Sequence, residues 1–112
     1  VPGDRPDLFD KAIAGPSHAL ILDLEDGVAA ASKALARDHV ADALGRWAGS
    51  ERTPVIVRVD PAALEADLSV AVTGGADGVV LAKATSATNI QLLSINFPFL
   101  YCLTYFFPSA VL

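Results

Sequence analysis

The chain has 112 residues, a length that suits one domain with a modest hydrophobic core. Eight Lys and Arg residues against 13 Asp and Glu residues give a net charge of −5, which argues against nucleic-acid binding through phosphate contacts. A single cysteine, Cys102, excludes an internal disulfide framework, and the first residues form no apolar leader, so a cytoplasmic location is expected.

Secondary-structure patterns alternate between helix and strand up to Lys83. In chain order they predict a short helix within 5–16, a strand at 19–24, a helix at 32–47, a strand at 54–59, a helix that begins at Asp60-Pro61 and ends at Gly74-Gly75, and a strand at 77–82. The first strand is a continuous apolar run, so both of its faces are expected to be covered. This αβαβαβ order predicts a parallel sheet with helical crossovers, either an open doubly wound sheet or part of a (β/α)₈ barrel.

Charged residues stand where the predicted strands end, and both candidate architectures place chemistry at that edge of the sheet. An arginine there can bind the carboxylate of a ligand through two hydrogen bonds, and nearby acidic residues can orient the arginines or bind a metal ion. The alternative is that these charges only cap helices and face solvent, as is expected for Lys33, Arg37 and Asp38. The candidate site residues are Arg5, Asp23, Glu25, Asp26, Arg58, Asp60 and Lys83.

Four stretches in the first 83 residues resemble one known family. They are VPGDRP at 1–6 with the Lys-Ala pair at 11–12, ALILDLEDGV at 19–28 followed by Lys33, VRVD at 57–60, and DGVVLAK at 77–83. In this order and at these spacings they are similar to the citrate lyase beta subunit-like branch of the HpcH/HpaI aldolase superfamily. The resemblance covers residues 1–86.

The resemblance implies a fold and an activity. The fold is the N-terminal portion of a (β/α)₈ TIM barrel, about three to four of its eight βα units. The activity is Mg²⁺-dependent cleavage of a carbon–carbon bond in an acyl-CoA substrate of the citramalyl-CoA, malyl-CoA or citryl-CoA type. The family also implies a homo-oligomer, often a trimer.

The same resemblance implies roles for the site residues. Arg58 would be the catalytic residue, holding the substrate carboxylate or polarising its carbonyl. Arg5 and Lys83 would contact substrate. The acids Asp23, Glu25 and Asp26 would lie behind them, fixing the arginines and metal-bound water.

Departures from the family pattern bear on activity. The family's metal ligands, a Glu and an Asp, would lie beyond Lys83, where this sequence contains neither residue. Asp60 and Ala82 replace the usual Asn and Pro. The chain is therefore expected to bind no Mg²⁺ and to be inactive by itself, and the alternative function is that of a catalytically dead relative acting only as a binding or assembly partner.

The segment 87–112 is uncharged, rich in aromatic residues and unlike the family. Its apolar run is interrupted by Asn96, Pro98 and Pro108 and lacks basic flanks, so membrane insertion is not favoured. The abrupt loss of charge favours a shifted or misjoined reading frame over an evolved part of the barrel. A partial barrel is expected to leave two sheet edges unpaired, one at Val1 and one near 79–81, unless this tail folds across the open edge and replaces a missing strand.

Overall fold

The structure is a computed structural model that describes residues 1–82 and 101–105. Its helices and strands alternate, which confirms the predicted αβαβαβ order, and a further strand follows. The elements are α1 (Phe9–Ile13), β1 (Leu20–Asp23), α2 (Lys33–Trp47), β2 (Val55–Val59), α3 (Leu64–Gly74), β3 (Gly78–Ala82) and β4 (Tyr101–Tyr105).

The four strands form one parallel sheet in the order β1-β2-β3-β4. Asp23 at the end of β1 lies opposite Arg58 of β2, which in turn lies opposite Val80 of β3. A parallel bridge also joins Pro2 to Asp23, so the first residues run beside β1 as an earlier strand would. The carboxyl ends of these strands therefore meet at one edge, as the sequence predicts.

The edge of β3 is paired, contrary to the expectation of an open edge near 79–81. Cys102 of β4 lies opposite Val79, and the pairing continues to the end of β3. Backbone amides and carbonyls at a sheet edge require partners, and a parallel strand from the tail supplies them. The rest of 87–112 lies outside the described residues, and the domain boundary at residue 86 stays a prediction.

The helices pack against one face of the sheet. In β2, Val55, Val57 and Val59 are fully buried against the helices, whereas the alternating residues are only half-buried. On that second face Ile21 is 44% exposed, so the prediction that both faces of the first strand are covered is wrong for the described part of the chain. One-sided helix packing is compatible with part of a (β/α)₈ barrel, in which the other face of the sheet is the interior.

Local sequence signals account for the helix positions. The residues of α2 that recur at helical spacing, from Ala36 to Trp47, are buried as predicted. Before α3, the Asp60 carboxylate accepts a hydrogen bond from the Ala62 amide at 2.9 Å, which confirms the predicted N-cap. Within residues 1–82 and 101–105, each helix falls short of the length and apolarity that crossing a bilayer requires.

Glycine allows the close approach of α3 to α2. A Cβ atom at Gly74 would lie 2.6 Å from Leu44 Cδ1, whereas one at Gly45 would meet no atom within 4 Å. We expect Gly74→Ala to lower the free energy of unfolding by about 1–2 kcal/mol, because the methyl group overpacks the interface. The matched control Gly45→Ala should raise it by up to about 1 kcal/mol, because alanine favours a helix interior. Urea unfolding followed by circular dichroism measures both, and equal stabilisation by the two variants would contradict this packing.

Candidate functional site

The ends of β1 and β2 are joined by a bidentate ion pair. Arg58 donates from Nε to Asp23 Oδ1 at 2.7 Å and from Nη2 to Asp23 Oδ2 at 2.5 Å. The two residues are 35 positions apart in sequence and become neighbours through the β1–β2 register. The fork of the guanidinium matches the two carboxylate oxygens, which fixes the plane and direction of the Arg58 side chain.

The loop after β1 also binds the Asp23 carboxylate. The Glu25 amide donates to Oδ1 at 2.8 Å, and the Gly27 amide donates to Oδ2 at 2.7 Å. A Cβ atom at Gly27 would lie 2.4 Å from Oδ2, so only glycine permits this approach. Asp23 thus accepts hydrogen bonds from two amides and both ends of a guanidinium edge, and its side chain is only 9% exposed.

These contacts set the charge state of the pair. Burial disfavours the charged form of Asp23, but Arg58 and the two backbone amides outweigh it, so the pKa of Asp23 is held below its usual value. The hydrogen bonds that Arg58 donates to Asp23 raise the pKa of Arg58, and the nearby charges of Glu25 and Asp26 act in the same direction. Asp23 therefore remains a carboxylate and Arg58 a cation throughout the physiological pH range.

The lowered pKa of Asp23 predicts a pH dependence of stability. A carboxyl group whose pKa is lower in the folded state contributes stability that is fully present above its unfolded pKa of about 3.9 and lost as the pH falls through the folded value. We therefore expect the difference in unfolding free energy between the native chain and Asp23→Asn to be constant near pH 7 and to shrink below about pH 4. Urea titrations at pH 7 and pH 3 measure it, and a difference that did not change with pH would contradict this assignment.

The remaining predicted site residues occupy different environments. Glu25 is buried and Asp26 is exposed, and both lie in the loop that holds Asp23. Arg5 is 56% exposed and forms an ion pair with Asp7 at 2.8 Å. Lys83 lies outside the described residues. The structure thus joins Asp23 to Arg58 directly, whereas the described contacts of the Arg5 side chain are with Asp7.

Two residues predicted to lie on a solvated helix face are partly buried and bound. Lys33 is 19% exposed and contacts the loop after β1 as well as Asp60. Arg37, one turn later, pairs at 3.3 Å with the fully buried Asp67 of α3. Burial raises the pKa of Asp67, although the Asp60 amide and Arg37 oppose that shift.

A sequence signal for this second pair exists. Asp67 falls between the apolar residues Leu64 and Leu68 on the buried stripe of α3, where an acid requires a partner. Arg37 borders the buried stripe of α2 beside Ala36, which makes it the matching cation. The prediction of a solvated face for Arg37 is wrong, because a charge that borders an apolar helix stripe can also reach a buried partner on a neighbouring helix.

The described residues do not fit a metal site. Among residues 1–82, no group of three or more His, Cys, Asp or Glu side chains is arranged to hold a metal ion. The oxygens of Asp23 are already engaged by four donors, so this carboxylate is not available as a ligand.

Comparisons with known proteins agree on one family. The family model described as HpcH/HpaI aldolase/citrate lyase matches residues 1–97. Two proteins of Mycobacterium tuberculosis, from strains CDC 1551/Oshkosh and ATCC 25618/H37Rv, are each described as a citrate lyase subunit beta-like protein. Each is 41% identical to this chain over 90 residues, which is 80% of this chain and 32% of the relative.

A solved structure has a similar fold. The crystal structure of RipC from Yersinia pestis matches with a TM-score of 0.61 at 23% sequence identity, and the match covers 93% of this chain and 42% of that one. The chain thus spans about a third of the length of the curated relatives that it matches.

Proposed function

The chain belongs to the HpcH/HpaI aldolase/citrate lyase family, and on that basis we propose that it is a segment of a carbon–carbon lyase acting on an acyl-CoA substrate of the citramalyl-CoA, malyl-CoA or citryl-CoA type. In this proposal Arg58 binds the carboxylate, or polarises the carbonyl, of the 2-oxo acid part of the substrate. The observation that carries it is the bidentate pair of Arg58 with Asp23 where two parallel strands end.

The chemistry of cleavage suits a fixed cation at this position. The substrate hydroxyl loses its proton and becomes the carbonyl of the 2-oxo acid. The carbon–carbon bond breaks and leaves its electron pair on the acyl thioester as an enolate, which then takes up a proton. A guanidinium that is already oriented stabilises the negative charge on the oxygens of the 2-oxo acid without rearranging during the reaction.

Asp23 has a supporting role in this proposal. Because its pKa is lowered and its oxygens accept four hydrogen bonds, it neither donates a proton nor removes one from the substrate. Asp23 accepts hydrogen bonds from Nε and Nη2 of Arg58. In this proposal the Nη1 side of the guanidinium, which points away from Asp23, binds the substrate. The base that accepts the hydroxyl proton is therefore a different group.

Mg²⁺, if bound by the complete enzyme, supplies charge neutralisation for the 2-oxo acid. The described residues do not provide its ligands. We place its ligands in the part of the relatives' length that this chain does not cover, and we expect the chain alone to be inactive. Lys83 and Arg5 are proposed to contact the acyl-CoA, and the homo-oligomer, as a trimer, belongs to the same proposal.

An activity assay on the purified chain tests its expected inactivity. With Mg²⁺ present, citramalyl-CoA, malyl-CoA and citryl-CoA should release no measurable 2-oxo acid, because the loss of even one transition-state stabiliser costs about 10²–10³ in rate. The 2-oxo acid is detected as its dinitrophenylhydrazone. Clear turnover would contradict the assignment of this chain as a dependent segment.

Complementation tests the lyase proposal itself. The chain is co-expressed with the part of the mycobacterial relative that follows its match to this sequence, and the two-part protein is assayed on the same three thioesters. Recovered cleavage supports a lyase segment. Association without cleavage supports the alternative, a catalytically dead relative that acts as a binding or assembly partner.

A further inference from the structure

Lys33, the first residue of α2, binds three oxygens that belong to two strand ends. Its ammonium nitrogen Nζ lies 2.7 Å from the Leu24 carbonyl oxygen and 2.5 Å from the Glu25 carbonyl oxygen, both in the loop after β1. It also lies 3.3 Å from Oδ2 of Asp60, which follows β2. A lysine ammonium has three protons and no acceptor, so one donor can serve each oxygen.

The peptide group between Leu24 and Glu25 connects Lys33 to the Asp23–Arg58 pair. The carbonyl of Leu24 and the amide of Glu25 belong to the same planar unit. Its oxygen accepts from Lys33, and at the opposite end its N–H donates to Asp23 Oδ1 at 2.8 Å. A cation on the carbonyl polarises the peptide and strengthens the hydrogen bond from its N–H, and it also fixes the direction in which that N–H points.

The ion pair of Lys33 with Asp60 connects the lysine to the same Asp23–Arg58 pair from the β2 side. Asp60 follows Arg58 by two residues, and the Arg58 carbonyl accepts a hydrogen bond from the Leu24 amide at 2.9 Å. The Asp60 amide in turn donates to Asp67 at 2.8 Å, and Asp67 is held by Arg37, one turn after Lys33 on α2. One face of α2 therefore secures the segments that follow both strands.

We propose that Lys33 is a positioning residue, which holds the Leu24–Glu25 peptide and Asp60 so that Asp23 fixes the guanidinium of Arg58. The value of this arrangement for catalysis rests on the proposed function, whereas the arrangement itself is a property of the folded chain. The ammonium is suited to the task because three oxygens converge on one nitrogen. A guanidinium is planar and spreads its donors over three nitrogens, so it cannot reproduce that geometry.

Nuclear magnetic resonance of the full chain tests the proposal through the Nε–Hε signal of Arg58. In Lys33→Met we expect this signal to lose the downfield shift that a hydrogen bond to a carboxylate produces. Its proton should also exchange with water at least about tenfold faster, as expected when a charged hydrogen bond is weakened. Lys33→Arg, which keeps the charge but not the geometry, should show the same change. Lys11→Met, which removes an exposed lysine from α1, is the matched control and should leave the signal unchanged.

The outcomes separate positioning from general stability. A Lys33→Met variant that unfolds at lower urea yet keeps the native Arg58 signal would overturn the proposal, and so would full restoration of the signal by Lys33→Arg. If Lys33→Met does not fold, Lys33→Arg decides by the same signal, and failure of both to fold would assign Lys33 to overall stability instead. No substrate is used, so an Arg58 that proves irrelevant to cleavage in the two-part enzyme would refute the proposed function and leave this result standing.

Discussion

Replacing Asp23 with asparagine should lower the free energy of unfolding by about 3 kcal/mol at neutral pH, the low end for breaking a buried ion pair. The carboxylate accepts from Arg58 and from the amides of Glu25 and Gly27, and an asparagine has only one acceptor oxygen for these donors. Both oxygens of Asp23 accept from Arg58 and from a backbone amide, so the NH₂ group of the asparagine would meet N–H donors in either of its two orientations. The cost stays at the low end because Arg58 is 33% exposed, and water can solvate the unpaired guanidinium.

Asp42→Asn is the matched control for this prediction. Asp42 is also bound by an arginine, Arg46 at 3.1 Å, but both side chains are well exposed on α2. The loss should be below about 0.5 kcal/mol, as for other exposed ion pairs within a helix. Urea unfolding at pH 7 measures both variants, and similar losses in the two would show that the Asp23 cluster adds little to the stability of the fold.

Replacing Arg58 with alanine in the two-part enzyme should lower kcat/KM by about 10²–10³, the usual consequence of removing one oriented stabiliser of transition-state charge. Arg58→Lys should still lose at least tenfold, or about 1.4 kcal/mol. Lysine keeps the charge but cannot span Asp23 with the Nε–Nη2 fork, so its ammonium is not held in the direction that the arginine takes.

Arg46→Lys is the control for the arginine-to-lysine exchange. Arg46 pairs with Asp10 and Asp42 on the helical surface, away from the strand ends, and its replacement should change kcat/KM by less than about twofold. The same substrates and Mg²⁺ concentration serve all three variants. An unchanged kcat/KM in Arg58→Lys would show that the bidentate geometry of the guanidinium is not needed for cleavage. An unchanged kcat/KM in Arg58→Ala would show that Arg58 does not act on the substrate.

The sequence by itself determined the order of the elements and the edge at which the charges collect. Strand runs, the Asp60-Pro61 start of the turn before α3 and the Gly75 end of that helix are local signals, since each depends on backbone preferences over a few residues. Because parallel strands end at a common edge, their order was enough to place Asp23 and Arg58 at neighbouring strand ends. The four family-like stretches also predicted the family that the comparisons show.

Tertiary structure alone decided which of these side chains touch and which faces are buried. Register brings Arg58 to Asp23 across 35 residues, and no local pattern encodes that partner. The side from which the helices pack leaves Ile21 exposed, although its neighbours in sequence are buried. In the sequence, Lys33 is one of several charged residues between apolar helix positions, and the pattern does not distinguish it from them. Its contacts with the Leu24 and Glu25 carbonyl oxygens exist only because the loop after β1 folds against the start of α2. A buried cation is stable only where oxygens converge on it, and that convergence comes from segments that the chain brings together on folding.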